Sequence, residues 1–116
     1  LQCMDILVLS SDHEGLPMIL LEALSLGVNV VARSVGGIPE AITDGVHGVL
    51  VDSADPAVLA EKCLQLRADP IRRKRMAQEG FRRVADHFAM EQTASKVAAL
   101  YRSLVDSRLR QRSQPA

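Results

Sequence analysis

The sequence predicts an α/β fold: a parallel sheet of about three strands with helices on both faces, followed by three carboxyl-terminal helices. Two observations carry this expectation. Short, wholly apolar runs alternate with glycine turns and helical stretches in the first half, and the second half contains helical periodicity without any further strand pattern. At 116 residues and 12.6 kDa the chain can bury one core, at the small end for a sheet covered on both sides.

Ile6-Leu7-Val8-Leu9 ends at the turn-forming Ser10-Ser11-Asp12 and reads as a strand buried on both faces. Helical character begins near Pro17, suited to the first helical position because its missing N–H would be orphaned there, and stops at Gly27. Val28-Asn29-Val30-Val31-Ala32 follows as a second buried strand, so strand, helix and strand have the length of a βαβ unit and imply parallel pairing. Gly36-Gly37-Ile38-Pro39-Glu40 is a glycine turn into a short helix, after which Asp44-Gly45 and Gly48 bracket a return to a third strand, Val49-Leu50-Val51.

Asp55-Pro56 and Asp69-Pro70 each pair an N-cap acceptor with proline at the first helical position, which places two helix starts. Leu59, Cys63 and Leu66 form the apolar stripe expected of the first of these helices, and Ala77, Phe81, Val84 and Phe88 that of the second. Gly80 inside the second helix weakens it by about 1 kcal/mol relative to alanine, unless close packing requires the missing side chain. A last helix, from about Met90 to Ser107, repeats the pattern with Ala94, Val97, Tyr101 and Leu104, and residues 108–116 read as a polar, basic tail that frays. Residues 1–107 are thus expected to form the folded region.

The net charge of zero hides a split, with one basic residue, Arg33, against eight acidic ones up to Asp55, and thirteen basic against six acidic from Pro56 onward. With one Tyr, two Phe and no Trp, the basic block lacks the aromatic interleaving of single-stranded nucleic-acid binders, so no nucleic-acid partner is expected. Arg72, Arg73, Lys74, Arg75, Arg82 and Arg83 suit either a solvated helix face or contact with an anionic membrane surface. The longest apolar stretch, Leu16 to Leu26, is broken by Pro17, Glu22 and Ser25 and falls short of the roughly 20 residues of a membrane span. Cys3 and Cys63 fit no zinc-ligand spacing, and two reduced thiols favour a cytoplasmic chain, peripheral at most to the inner membrane face. The start at Leu1-Gln2-Cys3-Met4 reads as cut from something longer.

The informative segment is Glu14-Gly15-Leu16-Pro17-Met18-Ile19-Leu20-Leu21-Glu22, two carboxylates eight positions apart across a helix start. The first N–H groups of that helix point into the crevice at the carboxyl ends of the strands and can hold a phosphate without a lysine, and Gly15 lets the backbone come close to it. Glu22, the one charge in an otherwise apolar helix, is expected to be largely buried, where it needs partners: the hydroxyls of a ribose, or Arg33, or a backbone N–H. Glu14 can accept hydrogen bonds from sugar hydroxyls or can be an ordinary solvated loop acid, and His13, without an identified partner, reads as a loop residue.

Ser11-Asp12-His13-Glu14-Gly15-Leu16-Pro17 with Glu22-Ala23, Gly27, Val30-Val31-Ala32 and Gly36-Gly37-Ile38-Pro39-Glu40 resembles the family-4 retaining glycosyltransferases of GT-B fold. The likeness extends through Asp44-Gly45 and Gly48 to Leu104, and implies the carboxyl-terminal part of a Rossmann-like nucleotide-sugar-binding domain. It implies that Glu14 contacts the donor sugar as a positioning and electrostatic group, the one catalytic residue assigned. The segment Gly15, Leu16, Pro17, Met18 and Ile19 would hold sugar and diphosphate through its backbone amides, Pro17 having no N–H to donate, Glu22 would bind ribose, and Gly36 and Gly37 would shape the neighbouring loop. No metal and no cofactor are implied, the nucleotide-diphosphate sugar being substrate. The basic pair facing the diphosphate, and the domain binding a sugar or lipid-linked acceptor, would lie on preceding segments, leaving these residues inactive alone. The final helix would cross towards that domain, exposing part of its stripe here and favouring self-association. Ala89 stands where this helix would have a serine-type N-cap. The rival readings are a truncated, non-catalytic nucleotide-sugar-binding or assembly module and, less favoured by the glutamate spacing, a nucleotide-sugar epimerase.

Overall fold

The computed structural model describes residue 1 and residues 3–112. Three strands, β1 (Ile6–Leu9), β2 (Asn29–Arg33) and β3 (Val49–Val51), form a parallel sheet in the order β1-β2-β3. Five helices are interleaved with and follow them: α1 (Met18–Ser25), α2 (Ile38–Ala41), α3 (Pro56–Arg67), α4 (Pro70–His87) and α5 (Met90–Arg112). The chain divides into two compact units, Leu1–Asp86 and His87–Ala116. The α/β architecture and all three strands agree with the sequence pattern.

β2 is the central strand. Leu7 pairs with Val30 and Val8 with Val31 on one side, and Val31 pairs with Val49 and Ala32 with Leu50 on the other. Because side chains alternate along a strand, Val31, Val49 and Val51 share one face, where they pack with Leu59 and Leu66 of α3 and with Met76 of α4. Val30 and Ala32 take the opposite face, over which α1 packs with Leu20, Ala23 and Leu24 buried. β2 is therefore covered on both sides. β1 is not, contrary to the expectation from its apolar run: it is an edge strand, α3 packs on β2 and β3, and Val8 stays 45% exposed.

The helix ends follow local chemistry. Asp55 accepts the Ala57 N–H at 2.9 Å before Pro56, and Asp69 accepts the Arg72 N–H at 2.9 Å before Pro70. Each cap satisfies a donor that would otherwise be orphaned, a contribution of about 1 kcal/mol. Gly27 ends α1 with φ +70, a conformation that a side chain would strain. Pro17 differs from expectation: it is the N-cap of α1, in extended conformation, with Met18 first in the helix.

The buried phase of α4 also differs. Met76 and Gly80 are buried, whereas Phe81 is 53% exposed and Ala77 and Val84 are half-buried. The cause is Gly80 itself, since a Cβ there would lie 2.7 Å from Leu24 Cδ2 and 3.3 Å from the His47 carbonyl oxygen. The missing side chain lets α4 lie close to α1, and the helix turns by one residue from the phase its large apolar residues suggest. In α5, Val97, Tyr101 and Leu104 are 46%, 66% and 53% exposed, and Leu100 and Val105 are exposed beside them. Part of that stripe is therefore uncovered, as the resemblance implied. The helix continues through Arg112, beyond the expected end at Ser107; residues 113–116 of the expected tail lie outside the described residues.

Gly80→Ala is expected to lower stability by about 1 kcal/mol, because overpacking of roughly 1–3 kcal/mol outweighs the gain in helix propensity of about 1 kcal/mol; urea denaturation measures it, and a rise in midpoint contradicts the packing role. The exposed stripe of α5 is expected to drive concentration-dependent association in sedimentation, relieved by Leu100→Gln with Leu104→Gln.

Candidate functional site

The candidate site lies beyond the carboxyl ends of β1 and β2. Leu9 ends β1, residues 10–17 form the loop, and α1 starts at Met18. From β2 the chain runs through Ser34 and Val35 to Gly36 and Gly37, which open α2. The two loops meet backbone to backbone. The Gly37 N–H donates to the Gly15 carbonyl at 2.8 Å. Gly36 has φ +56, and a Cβ there would fall inside the Glu14 carbonyl oxygen; a Cβ on Gly37 would lie 2.9 Å from the Gly15 carbonyl oxygen. Both glycines are therefore required by the fold, and together they set the position of Glu14 and Gly15.

Gly15 is a different case. It is exposed, its φ is not positive, and a Cβ there would meet nothing within 4 Å. The space beside it is open, at the start of an eight-residue helix whose N-cap, Pro17, offers no side-chain acceptor. The Leu20 N–H is bonded to the Pro17 carbonyl at 3.0 Å, and the leading N–H groups of Met18 and Ile19 have no side-chain cap. Met18 and Ile19 are exposed, Leu16 is exposed, and Glu14 and Pro17 are half-buried. This constellation can accept an anion at the positive end of the helix dipole.

Glu22 is exposed, which corrects the expectation of burial. Met18, Glu22, Ser25 and Leu26 follow helical spacing along the outer face of α1, while Leu20, Ala23 and Leu24 turn inward. The helix is apolar nearly all round but has one face uncovered, and the carboxylate sits on that face, one turn and about 6 Å beyond Met18. The pairing of Glu22 with Arg33 does not occur.

Arg33 pairs instead with Asp12. Its side chain is 12% exposed, whereas that of Asp12 is 75% exposed, so the guanidinium is held at the end of β2 and tethers the β1 exit loop to it. Sequence reasoning did not assign this pair a role; the available signal was that Arg33 is the sole cation before Asp55. A second unforeseen contact is Arg83, which donates to the carbonyls of Ala41 at 3.1 Å and Glu40 at 3.0 Å and closes the end of α2. Forty-two positions separate Arg83 from Ala41, and no local pattern marks them as partners.

A concavity of about 650 Å³ lies elsewhere, between the carboxyl end of α1 and α4, and no residue of the candidate site lines it. Burial raises the pKa of the Cys63 thiol, so it remains protonated at neutral pH and is a poor nucleophile. No helix among the described residues is long and apolar enough to cross a membrane.

An α/β domain whose parallel strand ends, glycine loop and open helix N-terminus converge in this way is of Rossmann type. More particularly, residues 1–83 match the family of group 1 glycosyl transferases, and the chain belongs to it. A D-inositol 3-phosphate glycosyltransferase of Corynebacterium urealyticum is 36% identical over 103 residues, which are 89% of this chain and 24% of that protein. A sucrose-phosphate synthase from Thermosynechococcus elongatus superposes with TM-score 0.85 at 29% identity, over 89% of this chain and 26% of the other. Anabaena HepE in complex with UDP shares the fold with TM-score 0.84 at 22% identity, over 88% of this chain and 28% of the other. The chain thus spans about a quarter of the length of the relatives it matches.

Gly36→Ala is expected to unfold or severely destabilise the domain, because the added carbon collides with backbone. Gly15→Ala is expected to leave the melting temperature within a degree or two, since an added Cβ there meets nothing within 4 Å. A large drop in stability on Gly15→Ala in thermal denaturation contradicts this assignment.

Proposed function

We propose that this chain forms the donor half-site of a retaining glycosyltransferase of family 4, acting within a longer protein of GT-B type. The observation that carries the reading is the exposed Gly15, open to solvent at the uncapped start of α1 and required by no contact within the fold. A backbone kept bare at a helix N-terminus suits the close approach of a diphosphate. The family membership supports the reaction class. Relatives whose names differ in what they make, an inositol phosphate glycosyltransferase and a sucrose-phosphate synthase, share this segment; that suits a part whose role does not depend on the particular product.

In this reading Gly15 to Ile19 hold the diphosphate and the sugar, the leading amides of α1 supplying hydrogen bonds. As the bond between the anomeric carbon and the diphosphate oxygen breaks, negative charge grows on the leaving phosphate, where these preorganised dipoles are worth most. Glu14 takes the sugar hydroxyls, its backbone held by Gly36, and steadies the positive charge developing on the sugar ring. Glu22 accepts hydrogen bonds from the ribose diol on the open face of α1, which its exposure permits without a desolvation penalty in the free state. Gly36 and Gly37 act through the position they impose on residues 14 and 15. The substrate is a nucleotide-diphosphate sugar, with no metal or cofactor, and the acceptor, a sugar or a lipid-linked sugar, is bound by another part of the protein. The 116 residues alone bind donor without turning it over, the property that a non-catalytic binding module would also have.

Glu22→Ala in the intact protein is expected to weaken nucleotide-sugar binding about 10- to 100-fold, as for loss of hydrogen bonds to a charged group of roughly 1.5–3 kcal/mol. Isothermal titration checks it. Unchanged affinity removes Glu22 from the site, and transfer by the 116 residues alone refutes the need for further segments.

A further inference from the structure

The outward face of α4 carries groups that neither the sheet nor the donor site uses. At 100° per residue, Ile71, Lys74, Arg75, Gln78, Phe81 and Arg82 fall within a sector of about 120°, opposite the buried Met76 and Gly80. All six are exposed, Ile71 by 85% and Phe81 by 53%. Two large apolar side chains thus stand in solvent among three cations.

The other basic residues of α4 are engaged differently. Arg83 is committed to the carbonyls of Ala41 and Glu40, and Arg72 and Arg73 are half-buried. Of the acidic groups on this helix, Glu79 is half-buried and pairs with Arg82 at 2.9 Å, and Asp86 lies in its last turn. The outward sector is left with an excess of positive charge at Lys74 and Arg75. Beside it runs the concavity of about 650 Å³, with Leu26, Ala77 and Phe81 along its walls and Lys74 and Arg82 among its lining residues.

The geometry points to this face of α4 as a docking surface for an anionic phospholipid bilayer. Ile71 and Phe81 enter the headgroup layer, Lys74, Arg75 and Arg82 face lipid phosphates, and the concavity receives a headgroup. Charge selects this occupant. A second copy apposed through the same face would bring the same cations together, whereas a bilayer surface presents phosphates over an apolar layer, in the order the side chains require. The six-residue basic cluster legible in the sequence is thereby reduced to the three cations that point outward. The inference is independent of the donor site, since none of its residues lies on α4.

The test is flotation of the 116-residue chain with phosphatidylcholine vesicles, with and without phosphatidylglycerol. Binding is expected only with phosphatidylglycerol and is expected to weaken with salt. Each cation near such a surface contributes roughly fivefold in partitioning, so Lys74→Gln with Arg75→Gln is expected to lower binding about 25-fold. Ile71→Ser is expected to lower it at high salt as well, and Lys96→Gln with Arg102→Gln on α5 to leave it unchanged. Equal binding to both vesicles, or an equal loss from the α5 pair, overturns the proposal. So does a result in which Ile71→Ser and Phe81→Ser abolish self-association without lipid and leave flotation untouched. Circular dichroism of each variant separates lost binding from lost fold, and these exposed substitutions are expected to melt with the parent chain.

Discussion

The approach of one loop backbone to another, without side chains between them, is the constraint on which the site depends. Gly36 and Gly37 lie against Glu14 and Gly15 so closely that a single methyl group at position 36 has no place to go. The Gly37 to Gly15 hydrogen bond and the Arg33–Asp12 ion pair then fasten the exits of two neighbouring parallel strands at adjacent points. Parallel pairing of β1 and β2 brings both carboxyl ends to the same edge, and the glycines convert that proximity into a fixed geometry for the start of α1. A loop carboxylate and a helix N-terminus fixed in this way suit the proposed donor site, since electrostatic stabilisation is most effective when the groups are preorganised.

The same device recurs behind the site. Gly80 lets α4 approach Leu24 and the His47 carbonyl, and so braces α1 from the side opposite the exposed Met18 and Glu22. One helix thus has two different faces: Leu20, Ala23 and Leu24 lock it to the sheet, while its outer face stays exposed. An apolar helix with an uncovered face is usually a liability. Here the uncovered face carries the residues that the donor reading requires.

Much of the site was legible because its residues are contiguous. Residues 14 to 19 form one loop and one helix start, and Glu22 follows at helical spacing, so a linear motif contains most of the candidate contacts. The environment of Glu22 was not legible: its apolar neighbours suggested burial, yet the direction of a helix face depends on what covers it. The partner of Arg33 was hidden for a related reason. Opposite charges far apart in sequence can pair in many ways, and only the register of β1 against β2 brings Asp12, rather than Glu22, to the guanidinium.

What the sequence by itself determined were the features that obey local rules. The apolar runs of β1 and β3, the Asp-Pro starts of α3 and α4, and the glycine stop of α1 each follow from the conformational preference or hydrogen-bonding capacity of a few adjacent residues. Tertiary structure alone decided the exposure of Val8 on an edge strand, the one-residue turn of α4 about Gly80, the open face of Glu22 and the outward direction of Ile71 and Phe81. These depend on which distant surfaces meet, and a glycine that builds an interface by lacking a side chain leaves no hydrophobic signal in the chain that contains it.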